Sequence, residues 1–253
     1  MDEHIPVITS VASGKGGVGK TFVTINLAAL LARKGKSVLA IDCDLGLANM
    51  DIMLGLDPAL TLKDVIFGNS TIHDAVVRTD AGFDLIAGSS GVKEMAQPLY
   101  EKIQLIKDAL RPLFRSYDYV LLDTGAGLSE TVLQFNLLAY RNIIVLNREL
   151  TSLTDAYAMI KMMYQIFARD SFSVIVNSAA NEKEGLKIFS QIDNTCQKFL
   201  GFPLSYLGYI TSDQSVPKSI IRREVLAVST PHSPVAKDCD RITQNICSWQ
   251  TAC

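Results

Sequence analysis

Short runs of β-branched and apolar residues alternate along the chain with longer segments that carry apolar residues at helical spacing. Continuous apolar runs are typical of strands that are buried on both faces of a parallel sheet. We therefore predict an α/β fold with a single doubly wound, mostly parallel sheet and helices on both faces. The predicted strands are 7–12, 37–42, 83–88, 119–124, 142–147, 172–177 and 204–210. The predicted helices are 20–34, 61–67, 94–113, 128–139, 152–168, 183–200, 215–222 and 234–248.

The length and hydrophobic content bound the organisation of the chain. Its 253 residues, 48% of them hydrophobic, suit one large α/β domain with a substantial core. We predict a single domain over 1–253, with 234–253 as a C-terminal helical tail. The N-terminus lacks the basic and apolar segments of a signal peptide, and no run of roughly 18 apolar residues occurs. We therefore expect a cytoplasmic protein.

Charge and cysteine content argue against several classes of function. The formal net charge is −2 and the pI is about 5.9, without a basic run, so binding to nucleic acid is not expected. The five cysteines are scattered and form no C-x-x-C pair, which argues against a zinc ribbon, a redox motif or a cluster carrier. They are Cys43, Cys196, Cys239, Cys247 and Cys253.

A phosphate-binding motif follows the first predicted strand and opens the first predicted helix. Residues 14–21 fit the pattern G-x-x-x-x-G-K-[ST]. Its glycines let backbone N–H groups surround an anion, Lys20 reaches the β- and γ-phosphates, and the Thr21 hydroxyl ligates Mg²⁺. We therefore predict nucleotide binding. The predicted nucleotide-binding residues of this segment are Gly14, Lys15, Gly16, Gly17, Val18, Gly19, Lys20, Thr21 and Phe22.

Two further strands bring carboxylates to the same edge of the sheet. Asp42 ends the second predicted strand, Asp44 follows two residues later, and Asp123 ends the strand at 119–124. An aspartate directly after an apolar strand is typical of a residue that holds Mg²⁺ through water. Capping of the next helix is the alternative for each aspartate taken singly. Their convergence on one phosphate-binding motif favours the metal interpretation.

These motifs resemble a known family. The stretch GKGGVGKT is similar to the deviant Walker A motif of the MinD/ParA ATPases. The stretches at 42–56, 123–129 and 150–161 resemble the MinD-like subgroup that controls flagellar number and placement, called FlhG, FleN or YlxH. The resemblance runs from Ile8 to about Ser233. It implies an ATPase that uses ATP and Mg²⁺, releases ADP and forms a homodimer in its ATP state.

The resemblance also implies roles for single residues. In this family the early lysine, here Lys15, reaches across a nucleotide-sandwich dimer to the phosphates bound by the partner. A solvated loop lysine is the alternative. Asp44 would position the attacking water, while Asp42 and Asp123 would organise Mg²⁺ and its waters. Lys15, Lys20 and Asp44 are therefore the predicted catalytic residues, and Thr21, Asp42 and Asp123 the predicted metal residues.

A base-binding pocket is implied by two later segments. The family uses an asparagine such as Asn177, at the end of a strand, to hydrogen-bond the adenine edge, since an amide offers both a donor and an acceptor. Capping of the next helix is the alternative for Asn177. The loop 211–217 would close over the base, through Thr211, Asp213 and Val216. Thr211 stands where proline is common in the family.

The C-terminal segment leaves two interpretations open. Cys239, Ile242, Ile246 and Trp249 recur at helical spacing with few basic residues around them. A helix that docks on the domain is the interpretation we prefer. The alternative is an amphipathic helix that makes a weak, ATP-dependent contact with the inner face of the cell membrane.

The proposed process is the regulation of flagellar number or placement. Its implied partners are an FlhF-like GTPase, flagellar switch or C-ring proteins, or a flagellar transcription regulator. A division-site MinD-type protein and a ParA-type partition protein are the alternatives. The first would need a strongly basic amphipathic tail, and the second a basic surface for DNA.

Overall fold

The computed structural model of the chain describes residues 5–88 and 99–249. These residues form one sheet flanked by helices. The strands are Val7–Ser13 (β1), Val38–Cys43 (β2), Val76–Arg78 (β3), Asp84–Ile86 (β4), Tyr119–Ala126 (β5), Arg141–Leu146 (β6), Phe172–Ala179 (β7) and Ser205–Thr211 (β8). The helices are Lys20–Arg33 (α1), Met50–Leu54 (α2), Leu62–Ile66 (α3), Leu99–Phe114 (α4), Glu130–Leu138 (α5), Leu150–Phe167 (α6), Glu182–Leu200 (α7), Ser215–Arg222 (α8), Leu226–Ser229 (α9) and Pro234–Cys247 (α10).

The sheet has the strand order β3-β4-β2-β5-β1-β6-β7-β8, and its neighbours are parallel apart from the β3–β4 pair. Successive strand residues face opposite cores. In β1, Val7 and Val11 lie in the core that α1, α9 and α10 cover, whereas Ile8 and Ala12 lie in the cores covered by α3 to α7. The predicted doubly wound fold is therefore confirmed.

The seven predicted strands are all present, with bounds that differ by at most about two residues. The prediction missed β3, α2 and α9, which are short. Helix α2 lies between the predicted strand 37–42 and the predicted helix 61–67, and the carboxylate of Asp42 accepts the backbone N–H groups of Asn49 and Met50 at its start. The periodicity of apolar residues does not reveal a helix start that is stabilised by a side chain from a neighbouring strand. Residues 94–98 of the predicted helix 94–113 lie outside the described residues.

The C-terminal helix α10 packs on the domain. Its apolar residues Cys239, Ile242 and Ile246 are buried in the same core as α1. Trp249 packs against that core, and the guanidinium of Arg141 lies 4.8 Å from the centre of its ring. The structure thus supports the docking interpretation, while residues 250–253 lie outside the described part. Within residues 5–88 and 99–249, none of the helices combines the length and apolarity that crossing a membrane requires.

Candidate functional site

The phosphate-binding loop joins β1 to α1 and depends on its glycines. Gly17 and Gly19 have left-handed φ angles of 78° and 93°. Gly19 also precedes α1 without a side-chain cap on the first N–H groups of the helix, which favours an anion there. A Cβ on Gly14 would lie 2.1 Å from the carbonyl carbon of Asp155, so only glycine allows α6 to approach this closely.

Lys20 and Thr21 open α1 and face the carboxylate of Asp123. Lys20 is only 8% exposed. Burial raises the pKa of Asp123, and the charge of Lys20 offsets part of that rise. The hydroxyls of Thr21 and Thr24 donate hydrogen bonds to the same carboxylate, the second at 3.3 Å. A buried lysine, a hydroxyl and a carboxylate therefore meet at the start of the helix.

Asp42 and Asp123 form a buried acidic pair. They are register partners on the neighbouring strands β2 and β5. Burial is the main cause that raises the pKa of Asp42 to about 6 and of Asp123 to about 7, and for Asp123 the charge of Asp42 adds to it. Carboxylate and hydroxyl oxygens are hard donors that suit Mg²⁺. This donor set, next to an anion-binding loop, fits a bound Mg²⁺–nucleotide.

The loop after β2 is held by two carboxylates. One Asp42 oxygen accepts the backbone N–H of Asp44 at 3.0 Å, and the other accepts those of Asn49 and Met50, each at 3.0 Å. The carboxylate of Asp42 therefore contacts the start of α2 from the end of β2, while Asn49 occupies the N-cap position of this helix. Asp44 accepts the N–H groups of Gly46 and Leu47 at 3.1 and 3.0 Å. The loop that carries Asp44 is thus fixed from the buried end of β2.

The side chain of Lys15 extends away from the phosphate-binding loop toward α6. Its ammonium contacts the carboxylate of Glu149 and donates a hydrogen bond to the hydroxyl of Thr151 at 3.0 Å. The Lys15 side chain is 37% exposed, and its hydrogen bond lowers the pKa of Glu149. Unlike Lys20, Lys15 therefore lies at the surface, at the start of α6.

The predicted base pocket lies at the ends of β7 and β8. Asn177 donates from its amide to the carbonyl of Val18, 2.7 Å away, and so joins this pocket to the phosphate-binding loop. Helix α7 is capped by Asn181, so the capping alternative for Asn177 is wrong. A cavity of about 290 Å³ adjoins Asn177. It is lined by Asn177, Ser178, Thr211, Ser212, Asp213, Gln214, Val216 and Pro217.

Three predicted residues of the base pocket have their own partners. The backbone N–H and the hydroxyl of Thr211 both donate to Asp238 of α10, at 2.8 and 2.6 Å. Asp213 accepts the N–H of Ser215 at 2.7 Å, which orders the start of α8. Val216 lines the cavity and packs against the core around α1.

Residues 9–226 match a protein family described as the CobQ/CobB/MinD/ParA nucleotide binding domain. The chain belongs to this family. Two curated relatives are similar over most of their length. The antiactivator FleN of Pseudomonas aeruginosa is 34% identical over 97% of this chain and 88% of its own. The flagellum site-determining protein YlxH of Helicobacter pylori is 29% identical over 92% of this chain and 79% of its own.

Solved structures of MinD agree with this membership. The septum site-determining protein MinD complexed with Mg-ADP from Pyrococcus horikoshii is 27% identical, with a TM-score of 0.79 over 96% of this chain and 97% of that one. A MinC:MinD complex from Aquifex aeolicus is 24% identical with a TM-score of 0.77, and it supports the fold alone. As a member of the MinD/ParA family the chain is a P-loop ATPase, and its cofactors are ATP and Mg²⁺.

The structure of this MinD/ParA ATPase brings most of the predicted site residues together. Gly14 to Thr21, Asp42, Asp44 and Asp123 meet at one edge of the sheet, and Asn177 links them to the cavity at 211–217. The side chains of Val18 and Phe22 are buried in the core, so a contact with nucleotide would come from their backbone. Sequence reasoning missed Glu149 and Asp238. Glu149 stands directly before the stretch at 150–161, but its pairing with Lys15 spans 134 positions and left no local signal.

Proposed function

We propose that this MinD/ParA ATPase is an ATP-dependent dimerising switch that regulates flagellar number or placement. The observation that carries the switch is the different placement of the two lysines in one loop. Lys20 is buried beside Asp123, whereas Lys15 lies at the surface against Glu149. A buried lysine serves the nucleotide of its own subunit. A surface lysine beside that site is accessible to a second subunit.

The residues of one subunit divide the work of phosphate chemistry. Lys20 and the uncapped N–H groups of α1 bind the phosphates, while Thr21 and Asp123 hold Mg²⁺. When bound, Mg²⁺ neutralises part of the phosphate charge. Asp42 secures the loop that carries Asp44, and Asp44 orients the attacking water. Such positioning and charge neutralisation are the main demands of phosphoryl transfer.

Specificity for adenine is assigned to the pocket at the ends of β7 and β8. The Asn177 amide lies beside a cavity of about 290 Å³, which can take a planar base next to the phosphate-binding loop. Thr211, Asp213 and Val216 also line that cavity. The contact of Asn177 with Val18 fixes the distance between the base pocket and the phosphates.

Dimerisation is tested by light scattering in ATP and Mg²⁺. The Asp44→Ala protein, slow in hydrolysis, should be a dimer, and the Lys15→Ala, Asp44→Ala protein a monomer at the same concentration. Lys15→Ala leaves Lys20 to bind ATP but removes the charge shared between subunits. Lys36→Ala, Asp44→Ala removes another exposed lysine and should remain dimeric. Equal dimers with and without Lys15 would reject the switch.

The flagellar process is supported by the likeness to FleN and YlxH over most of the chain. Besides the second copy of the chain, the proposed partner is an FlhF-like GTPase, a flagellar switch or C-ring protein, or a flagellar transcription regulator. Deletion of the gene should change the number or position of flagella counted by electron microscopy, and Lys20→Ala should fail to restore it. Normal flagella with misplaced septa would favour the MinD-type alternative, and plasmid loss the ParA-type one.

A cytoplasmic location with conditional membrane contact completes the proposal. The buried face of α10 is not available to lipid in this structure, so such contact would require α10 to leave the core. Sedimentation with anionic liposomes, with and without ATP, measures it. Equal sedimentation of a protein truncated after residue 236 would show that α10 is not the contact.

A further inference from the structure

The loop 211–217 is anchored at its first two residues. Thr211 ends β8 and is the register partner of Ala179 on β7. The N–H of Ser212 donates to the carbonyl of Ala179 at 2.8 Å. Beyond these residues the chain turns over the cavity, and Ser212, Gln214 and Pro217 are exposed. The position of the whole loop therefore depends on how its start is held.

The second anchor comes from the C-terminal helix. One oxygen of Asp238 accepts both the backbone N–H and the hydroxyl of Thr211, at 2.8 and 2.6 Å. The other oxygen contacts the guanidinium of Arg241, which lies 5.6 Å from the ring of Tyr209 on β8. Asp238 is only 3% exposed, so Thr211 and Arg241 take the place of water as the hydrogen-bond partners of its carboxylate. Hydrogen bonds to a buried charge are among the stronger ones in proteins.

Threonine at this position changes what the loop requires. A proline there would fix φ and offer no N–H group. Thr211 leaves φ free, and its two donors need acceptors. Asp238 accepts hydrogen bonds from both donors. These two bonds limit the backbone conformation of Thr211, as the ring of a proline would at the same position.

We propose that Asp238 is a positioning residue for the base pocket. It holds Thr211 so that the loop 211–217 is already in place when the adenine base arrives, which lowers the ordering cost of binding. The inference rests on the proposed assignment of this pocket to adenine. It adds that recognition of the base, but not of the phosphates, depends on α10.

The test compares ATP with inorganic tripolyphosphate, each with Mg²⁺, by calorimetric titration. Asp238→Asn places an amide donor among existing donors and should weaken ATP binding about tenfold. Tripolyphosphate has no base, so its affinity should stay within about twofold of the wild-type value. Asp240→Asn is the matched control, because Asp240 lies on the same helix and pairs with Lys34 at 2.7 Å, away from the loop.

A second pair of variants keeps the test decisive if Asp238→Asn folds poorly. Thr211→Ser keeps both donors, whereas Thr211→Val keeps only the backbone N–H. Thr211→Val should lose ATP affinity and Thr211→Ser should retain more of it, with tripolyphosphate binding alike in both. Combining Thr211→Val with Asp238→Asn should cost little more than Asp238→Asn alone.

Three outcomes would overturn the inference or its basis. Unchanged ATP affinity in Asp238→Asn and Thr211→Val would remove the positioning role. An equal loss for ATP and tripolyphosphate would make Asp238 a general structural residue. Wild-type protein that binds ATP no better than tripolyphosphate would instead reject the base pocket itself, which separates failure of the proposed function from failure of the role of Asp238.

Discussion

The two ends of the proposed nucleotide site are built by different means: we call the loop 14–21 with Asp42 and Asp123 the phosphate end, and the cavity beside Asn177 the base end. At the phosphate end, the backbone conformations of Gly14, Gly17 and Gly19 shape the loop, and Lys20, Asp42 and Asp123 are buried. At the base end, hydrogen bonds of two strand residues hold the pocket: the buried Asn177 bonds to Val18 and the half-buried Thr211 bonds to Asp238. The shape of the phosphate end is set by the backbone itself. The shape of the base end depends on the hydrogen bonds of Asn177 and Asp238.

This difference separates binding strength from selectivity. The phosphate end concentrates two carboxylates and one lysine in the interior, so it is tuned to a ligand that brings both negative phosphates and a cation. The base end carries fewer charges, and substitutions that alter a few hydrogen bonds can change its shape. Variation among relatives at the base end can therefore leave the ATPase chemistry intact.

The largest effect is expected for Gly14→Ala, which tests the rigidity of the phosphate end. The new Cβ would lie 2.1 Å from the carbonyl carbon and 2.2 Å from the carbonyl oxygen of Asp155, and backbone atoms cannot rotate away. We expect a loss on the order of 3 kcal/mol in the free energy of unfolding, measured with urea. Gly16→Ala is the control, since its Cβ would meet only the Ala126 Cβ, at 4.0 Å. Equal stability of the two variants would contradict this account of the loop.

The next effect concerns Lys20→Ala. It removes the buried cation to which we assign phosphate binding, so ATP and tripolyphosphate should both bind on the order of a hundredfold more weakly. Calorimetric titration of the two ligands measures this, with Lys36→Ala as the control. The result should contrast with Asp238→Asn, which affects ATP alone. A loss confined to ATP would place Lys20 with the base and break the division between the two ends.

The same division explains how much could be predicted from the sequence. The alternation of apolar runs and helical periods predicted the sheet and seven of the eight strands in the described residues, because burial on both faces leaves a continuous local signal. The phosphate end was equally predictable. Its residues lie within one motif or directly after strands, so that chain order already places them at one edge.

The base end was predictable only through the family resemblance. Nothing in the local pattern at Thr211 indicates that its acceptor lies 27 residues later on α10. The same holds for Lys15 and Glu149, which are 134 positions apart. Each contact depends on how distant elements pack, and pairs at such separation leave no periodicity to read.

A third prediction uses the pH dependence of stability without nucleotide. The pKa of Asp123 rises from 3.8 to about 7 and that of Asp42 to about 6 on folding, so the folded state binds protons more tightly than the unfolded state. Their protonation therefore stabilises the fold at low pH, and this contribution is lost as pH rises through 6 to 7. We expect the free energy of unfolding to fall by on the order of 2 kcal/mol between pH 5.5 and 8.

Asp123→Asn provides the comparison for that experiment. The amide does not titrate, so its unfolding free energy should change less over the same range of pH. Asp80→Asn, at an exposed site far from the nucleotide, should retain the wild-type dependence. Identical pH profiles for wild type and Asp123→Asn would show that the acidic pair is not the source of the effect.

The smallest effect is expected at the surface, where Lys15 is held by Glu149. If Lys15 must leave Glu149 to reach a second subunit, Glu149→Gln removes a competing contact and should tighten the ATP-bound dimer of the Asp44→Ala protein by about two- to fivefold, as befits an exposed ion pair. Sedimentation equilibrium measures the dimer dissociation constant, with the exposed Glu182→Gln as the control. In a background that also carries Lys15→Ala, Glu149→Gln should have no effect, because the competing contact is already gone. A weaker dimer in Glu149→Gln would mean that Glu149 supports the interface itself, and Lys15 would then act within its own subunit.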